Sequence, residues 1–347
     1  GGPDQNLILL DDAVVYNPGH LFGFFSVFNG DALKNVSLIK GGMPANYGGR
    51  ISSVVDVAMK EGNNKTFQAE GGIGTISSRL SLQGPLVKEK ASWMVSARRT
   101  YIDVLVRPFI NPESPFAGSG YYFYDLNAKM NYRFSDKDRL YVSGYFGRDV
   151  FSFNNRQRSF NAHIPWGNST GTIRWNHVFS NKLFANTSVV WNDYRFQFSG
   201  GQSNFQVNFN SDIRDVTAKI DFDYYPATGH QLKYGAIYTR HRFNPQTTSG
   251  RSGDQEFSPL GVNNKFADEL AVYLLDDWEV HSRLKLNYGL RYSYFQQVGP
   301  YTLFQRDAFG NNLDSTVYGQ GQRVKGYGGL EPRITARYTL NESTSLK

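Results

Sequence analysis

Residues 125–134 read Asp-Leu-Asn-Ala-Lys-Met-Asn-Tyr-Arg-Phe, and this stretch decides the fold class. Its even positions, from Leu126 to Phe134, are apolar or aromatic, and its odd positions, from Asp125 to Arg133, are polar or charged. A period of two residues means that successive side chains lie on opposite faces of a β-strand. In a helix the pattern would instead repeat about every 3.6 residues. The stretch therefore predicts a strand with one apolar face and one charged face.

The same alternation recurs along most of the chain after residue 66. It is clear at residues 216–224 and again at residues 284–294, where apolar side chains fill every second position. From this pattern we predict eleven strands, at residues 67–83, 91–104, 121–134, 138–152, 169–179, 182–198, 212–225, 229–243, 266–280, 283–298 and 331–340.

The connections between these strands fall into two alternating classes. Short turns alternate with long polar loops, which we place at residues 107–120, 154–168, 200–211, 244–265 and 299–329. Short turns at one end and long loops at the other are typical of outer-membrane β-barrels, where the turns face the periplasm and the loops face the outside. Alternation alone does not say which face meets water, so a soluble sandwich or propeller stays open as an alternative.

Three features favour the membrane barrel over a soluble β protein. A tilted β-strand needs about 9–11 residues to cross a bilayer, and most of the predicted strands are longer than that. Aromatic residues crowd the strand ends, as at Tyr121–Tyr124, and aromatic rings prefer the interface between membrane and water. A propeller would repeat a motif every 40 to 50 residues, roughly, and the chain has no repeated motif.

Composition excludes several other classes. The 347 residues include no Cys, which rules out thiolate zinc sites, disulfides and thiol catalysis. The 26 Phe, 22 Tyr and 5 Trp argue against a disordered chain. The net charge of +7 is scattered without a basic block, so we predict no nucleic-acid partner. The longest apolar run, Leu270–Leu275, is far shorter than the stretch of about 20 residues in a membrane-spanning helix.

Catalytic and metal chemistry find no support in the residue spacing. The six His residues show no metal-ligand spacing. Acid pairs such as Asp221 with Asp223 fall on the charged face of predicted strands, where they are best explained as carboxylates of a polar barrel interior. We therefore predict no catalytic residues, no metal site, no cofactor and no enzyme activity.

Residues 1–65 depart from the hairpin rhythm and carry a family resemblance. Residues 36–57 read VSLIKGGMPANYGGRISSVVDV, which looks like the end of the plug domain of TonB-dependent outer-membrane receptors. The shared pattern is an apolar strand, Lys-Gly-Pro, a Tyr-Gly turn and a second apolar strand, although Gly42 stands where the family usually has Pro. Residues 16–25, YNPGHLFGFF, resemble the Bacteroidetes branch of the family.

The resemblance implies a domain organisation. Residues 1–65 would be the C-terminal half of an α+β plug, and residues 66–347 part of a transmembrane antiparallel β-barrel, which in this family has about 22 strands. Single-chain bacterial barrels have an even number of strands. Because the predicted eleven is odd, we expect the chain to be a fragment that lacks the first half of the plug, the TonB box and the last strands of the barrel.

The resemblance also implies roles for particular residues. Those expected to face a ligand are Tyr16, Asn17, His20 and Phe22; the alternative is that this segment packs against the barrel wall. Lys40 would pair with barrel carboxylates, or would be a solvated lysine on a plug strand. A structural turn, in which glycines adopt positive φ inside a confined lumen, is expected from Gly41, Gly42, Tyr47, Gly48, Gly49 and Arg50.

The function implied is TonB-dependent uptake of a scarce nutrient, such as a siderophore, glycan or peptide, across the outer membrane. The implied partners are TonB with its proton-driven inner-membrane complex, outer-membrane lipids and the small nutrient ligand. One alternative is a barrel that serves as a platform for a surface lipoprotein or a secretion partner. Another is a soluble β-rich adhesin, which would not require detergent. One sequence does not identify the substrate.

Overall fold

The computed structural model describes residues 2–111, 113–115, 117–155, 157, 159–261 and 263–346. Nearly all regular structure in these ranges is β-strand. The strands are β1 (Leu7–Leu10), β2 (Ala13–Val14), β3 (Gly19–His20), β4 (Phe25–Ser26), β5 (Leu33–Lys40), β6 (Ser53–Met59), β7 (Gln68–Ile73), β8 (Ser77–Val87), β9 (Ala91–Thr100), β10 (Gly120–Arg133), β11 (Asp138–Asn155), β12 (Phe160–Ser180), β13 (Leu183–Gln202), β14 (Phe205–Tyr224), β15 (His230–Ser252), β16 (Gln255–Gly261), β17 (Lys265–His281), β18 (Leu284–Val298), β19 (Tyr301–Arg306), β20 (Asn312–Tyr318), β21 (Arg323–Asn341) and β22 (Thr344–Leu346).

Helical structure is limited to short pieces. One α-helix, α1, covers Ile102–Val106, and 3-10 turns cover Pro3–Gln5, Leu21–Gly23, Gly30–Ala32 and Arg107–Phe109. Within the described ranges, the helices are all too short or too polar to cross a membrane.

Residues 2–60 form a small unit, called here the N-terminal unit. Its four-stranded sheet has the order β2-β1-β6-β5, with β1 and β6 parallel and the other pairs antiparallel. We expected an α+β unit, but the described residues 2–60 contain 3-10 turns in place of an α-helix. The physical reason is that β6 is rich in β-branched valine, which favours strands, and Gly and Pro interrupt the segments between strands.

Fourteen strands form one large sheet, called here the wall. It runs from β7 to β22 through consecutive antiparallel neighbours, with β16 attached to β15, while β19 and β20 form a separate hairpin. The prediction of eleven strands is wrong. Residues 67–83 break into β7 and β8 at a turn, and β16 and β22 are too short to show alternation. Among the described residues β7 and β22 do not pair with each other, so the sheet is open.

The long polar loops are shorter than predicted. The predicted loop at residues 200–211 is almost entirely strand, because β13 and β14 pair up to Gln202 with Phe205 and only residues 203 and 204 connect them. Likewise, β12 already begins at Phe160 and runs through most of the predicted loop at residues 154–168. Backbone hydrogen bonds extend the ladder into polar sequence, where side-chain alternation no longer reports it.

The two faces of the wall are distinguished by burial. On β10, Asp125, Asn127 and Lys129 are at most 7% exposed, whereas their neighbours Leu126 and Met130 are 44% and 46% exposed. The polar face, called the inner face, packs against the N-terminal unit, and the apolar outer face is open. A water-soluble sheet would bury its apolar face, so this arrangement contradicts the sandwich alternative. Other exposed outer-face residues are Ile173, Val189, Trp191, Val216, Leu270, Val272, Leu274 and Leu290.

The N-terminal unit lies inside a curved wall. Its side chains and backbone contact residues on wall strands as far apart as β8, at Arg79, and β21, at Arg333. A sheet that touches one small unit with so many consecutive strands must bend around it. A compact apolar cluster, which includes Leu10, Val57 and Met59 of the unit, extends to Met94 and Tyr145 of the wall.

Candidate functional site

The candidate site is the layer where the N-terminal unit meets the inner face, together with an aromatic pocket beside it. Three parts of the unit make most of the contacts that define the site: the aspartate turn (Asp11 and Asp12), the Tyr16–His20 segment and the Met43–Tyr47 turn. Each part is held by charged or polar side chains of the wall. The layer therefore combines close packing with a dense hydrogen-bond network.

The aspartate turn connects β1 to β2. Asp11 and Asp12 have φ values of 47° and 70°, a left-handed conformation that Asp tolerates better than most residues. The Asp11 carboxylate lies 2.9 Å from Nζ of Lys129, and the Asp12 carboxylate lies 2.6 Å from Nη2 of Arg174 and 3.3 Å from Nζ of Lys219. Three wall strands thus supply cations to one two-residue turn.

The charge state of Asp12 follows from these neighbours. Burial raises the pKa of the Asp12 carboxyl, but the positive charges of Lys219 and Arg174 outweigh burial and hold the pKa below its usual value of 3.8. Asp12 is therefore ionised at any physiological pH, and the turn is clamped electrostatically.

His20 lies at the centre of a second cluster. Its side chain is 1% exposed, with Nδ1 2.7 Å from Oδ2 of Asp149 and Nε2 2.7 Å from Oδ1 of Asp125. The ring also stacks on Phe123 at a centroid distance of 4.0 Å. Burial lowers the pKa of His20, but the hydrogen bonds to Asp125 and Asp149 outweigh burial, and the pKa is raised above 6.5. An imidazolium that donates from both nitrogens matches this geometry.

Tyr16 and Asn17 contact the wall between the two clusters. The Tyr16 hydroxyl donates to Oδ2 of Asp215 at 2.5 Å, and its backbone N–H donates to Oδ1 of Asn168 at 3.0 Å. Asn17 lies next to the Tyr194 side chain, whose ring is 6.2 Å from the Tyr16 ring. Both residues thus border the inner face toward the long-loop end of the wall.

Two other predicted site residues are placed as follows. The side chain of Phe22 lies outside the part of the structure that is described. Lys40 is exposed at the end of β5, where its backbone pairs with Ser53.

The Met43–Tyr47 turn is held by arginines. Nη1 of Arg333 donates to the carbonyl oxygens of Met43 at 3.2 Å, Pro44 at 2.9 Å and Tyr47 at 2.6 Å. Arg291, which is 3% exposed, donates to the Ala45 carbonyl at 3.3 Å. A guanidinium presents several donors in a rigid fork, which suits the convergence of backbone carbonyls.

Glycines permit this close approach. A Cβ atom at Gly48 would lie 2.4 Å from Nε of Arg291, and one at Gly42, where φ is 87°, would lie 2.0 Å from a methyl carbon of Thr335. Residues 41 and 49 also have positive φ, Tyr47 donates to Oδ2 of Asp56 at 2.8 Å, and Arg50 donates to the Gly49 carbonyl at 2.7 Å. The predicted turn residues thus lie together beside the wall.

Sequence reasoning missed several residues of this layer. Asp125 and Asp149, which face His20, and Arg333, which holds the Met43–Tyr47 turn, come from strands far away in the chain. The only sequence signal for Asp125 was its place on the charged face of β10. Its actual partner lies 105 positions away, a relation that periodicity does not encode.

Replacing Arg333 with Met is expected to loosen the Met43–Tyr47 turn by about 2 kcal/mol, because three carbonyl oxygens lose a charged donor. Hydrogen exchange of the backbone amides at residues 43–49 in the full protein measures this. Arg337→Met is the matched control, since Arg337 is exposed on the same face four residues farther along β21. Equal exchange rates in both variants would contradict the assigned role of Arg333.

An aromatic pocket lies farther along β13 than Tyr194 and begins at Phe196. Phe198 and Phe209 lie opposite each other on β13 and β14, with ring centroids 5.6 Å apart. With their neighbours they border a cavity of about 340 Å³, lined by Phe196, Phe198, Phe209, Asn210, Ser211, Pro245 and Gln246. Apolar walls with a few amide groups are typical of small-molecule sites.

Residues 108–347, more than half of the chain, match the profile of the family described as TonB dependent receptor-like, beta-barrel. No curated protein sequence matches the chain.

Several solved structures share the fold. The ferric preacinetobactin receptor BauA from Acinetobacter baumannii aligns with a TM-score of 0.65 and 10% identity, over 99% of this chain and 55% of that chain. The ferric yersiniabactin uptake receptor FyuA from Yersinia pestis aligns with a TM-score of 0.65 and 13% identity, over 97% and 54%. The ferric-catecholate import receptor Fiu from E. coli K12 gives 0.61 and 14%, over 99% and 62%. The chain thus spans little more than half the length of these structures.

Proposed function

The chain belongs to the TonB-dependent receptor-like β-barrel family, whose members are outer-membrane receptors and transporters rather than enzymes, and from this premise we propose that it serves the energy-coupled uptake of a scarce nutrient. The observation that carries the proposal is the inverted polarity of the wall. Its apolar face is open and its charged face encloses the N-terminal unit. Such a sheet suits a barrel whose outer face contacts lipid and whose inner face lines a polar passage.

In this proposal the N-terminal unit is the plug of the passage. The support is its position inside the curved wall and its attachment by the aspartate turn, the Tyr16–His20 segment and the Met43–Tyr47 turn. These contacts are polar and directional, and together with the apolar cluster that reaches Met94 and Tyr145 of the wall they would keep the passage closed. Opening requires that they be broken, and TonB with its inner-membrane complex would supply the energy. Lys40 is proposed as a further contact to the barrel.

The nutrient would bind on the side of the long loops, at the aromatic pocket. Three of the similar solved structures are a ferric preacinetobactin receptor, a ferric-catecholate import receptor and a ferric yersiniabactin uptake receptor. We propose a siderophore for this chain too, because aromatic walls with amide groups suit a ligand with both ring surface and hydrogen-bonding groups.

Tyr16 and Asn17 lie next to Tyr194, which precedes the pocket residue Phe196 by two positions on β13, and we propose that they also contact the ligand. His20 follows them in the chain and is bonded to the wall. We propose that ligand contact with the start of this segment shifts the equilibrium of the His20 contacts at its end. We propose that Phe22 contacts the ligand as well. The resemblance of residues 16–25 supports a receptor of the Bacteroidetes type.

The pocket is tested by the double substitution Phe198→Ala with Phe209→Ala. Loss of two aromatic contacts is expected to weaken binding of a ferric catecholate by about tenfold or more. Quenching of intrinsic fluorescence measures the affinity of the purified protein. The control is Phe134→Ala with Phe309→Ala, two residues that are 64% and 90% exposed away from the pocket. Equal affinities of the two double variants would contradict the pocket.

Transport is tested in cells that express the protein and are supplied with radiolabelled ferric catecholate, a glycan or a peptide. Uptake of one of these compounds is expected to disappear when TonB is removed. Uptake that persists without TonB, or a stoichiometric lipoprotein partner with no uptake of any of the three, would contradict the proposal and favour the platform alternative.

A further inference from the structure

The outer face of the wall changes from apolar to charged at one level on four neighbouring strands. Toward the long-loop end, Trp191 on β13 is followed on the same face by Asp193, and Val216 on β14 by Arg214. The same change occurs on the next two strands, where Arg240 follows Tyr238 on the outer face of β15 and Asp268 lies next to Leu270 on the outer face of β17. These residues are cross-strand neighbours or lie one step apart, so the change marks a continuous border.

Arginine dominates the charged side of this border. The arginine belt, as we call it, consists of Arg148, Arg195, Arg214, Arg240 and Arg242. Three carboxylates are interleaved with it: Asp193 contacts Arg195 and Arg214, Asp212 contacts Arg242, and Asp268 contacts Arg240, all at 2.6 to 2.8 Å. Five cations against three anions leave a positive excess on this surface.

Two members of the belt, Arg148 and Arg195, lie close together, and their charge is not fully neutralised because Arg195 shares the Asp193 carboxylate with Arg214. Arg148 is half-buried and has no ion-pair partner among the described residues, and the Arg195 side chain is 60% exposed. Both are cross-strand neighbours of Gly167 on β12, one on each side. Their Cα atoms are therefore two strand spacings apart, about 10 Å.

Gly167 leaves the space between these arginines open. A Cβ atom there would lie 2.1 Å from the Gly147 carbonyl oxygen, so glycine is needed where the strands approach. A groove of about 270 Å³ results, bordered by Arg148, Arg195, Asp193, Phe146 and Pro165 among others. Asp193 accepts from Nε and Nη2 of Arg195, which leaves Nη1 of that guanidinium as the donor for a further oxygen. Phe146, 39% exposed, lies on the apolar side of Arg148 along the same strand. The groove thus has a cationic upper part above an apolar surface.

We propose that this groove binds the phosphate of a lipid in the leaflet on the long-loop side, with Arg148 and Arg195 donating to the phosphate oxygens and the acyl chains lying along Phe146 and Trp191. The inference rests on the proposed membrane placement. Charges on the lipid-facing surface are unfavourable within the hydrocarbon and are tolerated at the headgroups, which is the level that the border marks.

The residue types select phosphate among anionic groups. Guanidinium groups present paired donors that match phosphate oxygens, and both cations that line the groove, Arg148 and Arg195, are arginines. The apolar band directly below the groove distinguishes a lipid from free phosphate, because only a lipid gains from both surfaces at once.

The test uses the purified protein in detergent micelles that contain bis-phosphorylated lipid A, followed by native mass spectrometry. Retention of the lipid is expected to fall about tenfold or more in the double variant Arg148→Gln with Arg195→Gln. The control is Lys137→Gln with Arg283→Gln, which removes two exposed charges at the short-turn end. The double variant Arg148→Lys with Arg195→Lys keeps both positive charges but loses the paired donors of the guanidinium groups. Its retention of the lipid is expected to lie between that of the wild type and that of the glutamine variant.

Three results would overturn the inference. Equal retention in the glutamine variant and the control is the first, and equal retention of lipid A without its phosphates is the second. The third is full displacement of the lipid by inorganic phosphate at a concentration equal to that of the lipid phosphate groups, which would indicate a site for free phosphate. A protein that does not enter micelles at all contradicts the membrane placement instead, so the two failures are separate.

Discussion

Replacing His20 with Ala is expected to weaken the attachment of the N-terminal unit to the wall by about 3–5 kcal/mol. The substitution removes a cation that is bonded to both Asp125 and Asp149, and it leaves two buried carboxylates without this partner. Asp125 keeps Tyr145 as a donor on Oδ1 and Arg98 as a donor on Oδ2. Asp149 keeps Tyr121 on Oδ1 only, so the loss of His20 leaves its Oδ2 without a donor among the described residues. The stacking of the imidazole on Phe123 is lost as well.

Chemical denaturation with hydrogen exchange of residues 16–27 measures this effect in the full protein. His163→Ala is the control, because His163 is exposed and only its contact with Ser152 is lost. A loss of stability no larger than that of the control would show that the two carboxylates do not depend on His20.

The attachment is also expected to depend on pH through His20. Because its pKa is raised above 6.5 in the folded protein, its contribution is fully present below pH 6.5 and is lost as the pH rises through the higher folded pKa. Alkaline conditions should therefore increase exchange at residues 16–27 in the wild type and much less in His20→Ala. The charged and titratable groups that face this ring are Arg98, Tyr121, Asp125, Tyr145 and Asp149.

Replacing Asp12 with Asn is the second large effect that we expect, with a loss of about 3 kcal/mol. The amide keeps the shape of the carboxylate but leaves Arg174 and Lys219 facing a neutral group. Lys219 retains Asp221 at 2.8 Å, so Arg174 accounts for most of the loss. If the N-terminal unit is the plug, its looser attachment should also appear as ion leakage.

Conductance of the protein in planar lipid bilayers measures this leakage, and thermal unfolding measures the stability. Asp254→Asn serves as the control, since Asp254 is exposed in the turn between β15 and β16. The pKa of Asp12 lies below 3.8, so its contribution is present above that pH and is lost only as the pH falls through the lower folded pKa. Titration from about pH 7 to pH 4 should leave the contribution of Asp12 intact. A leak-free, fully stable Asp12→Asn protein would contradict the clamp.

The sequence by itself determined the class of the fold and which residues share a face. The two-residue period of a strand comes from local backbone geometry, so alternation at residues 125–134 placed Asp125 with Lys129 and Leu126 with Met130 without knowledge of any partner strand. The resemblance of residues 36–57 located the turn around Gly42 and Gly48 for the same reason, since turn residues act on their own backbone.

Only the tertiary structure decided which face is enclosed, how many strands the wall contains and which charges meet. Asp12 and Lys219 are 207 positions apart, and His20 and Asp149 are 129 apart. Such contacts depend on the order and register of many intervening strands and on the curvature of the sheet. These properties come from the sum of all strand pairings, so no local window of sequence specifies them.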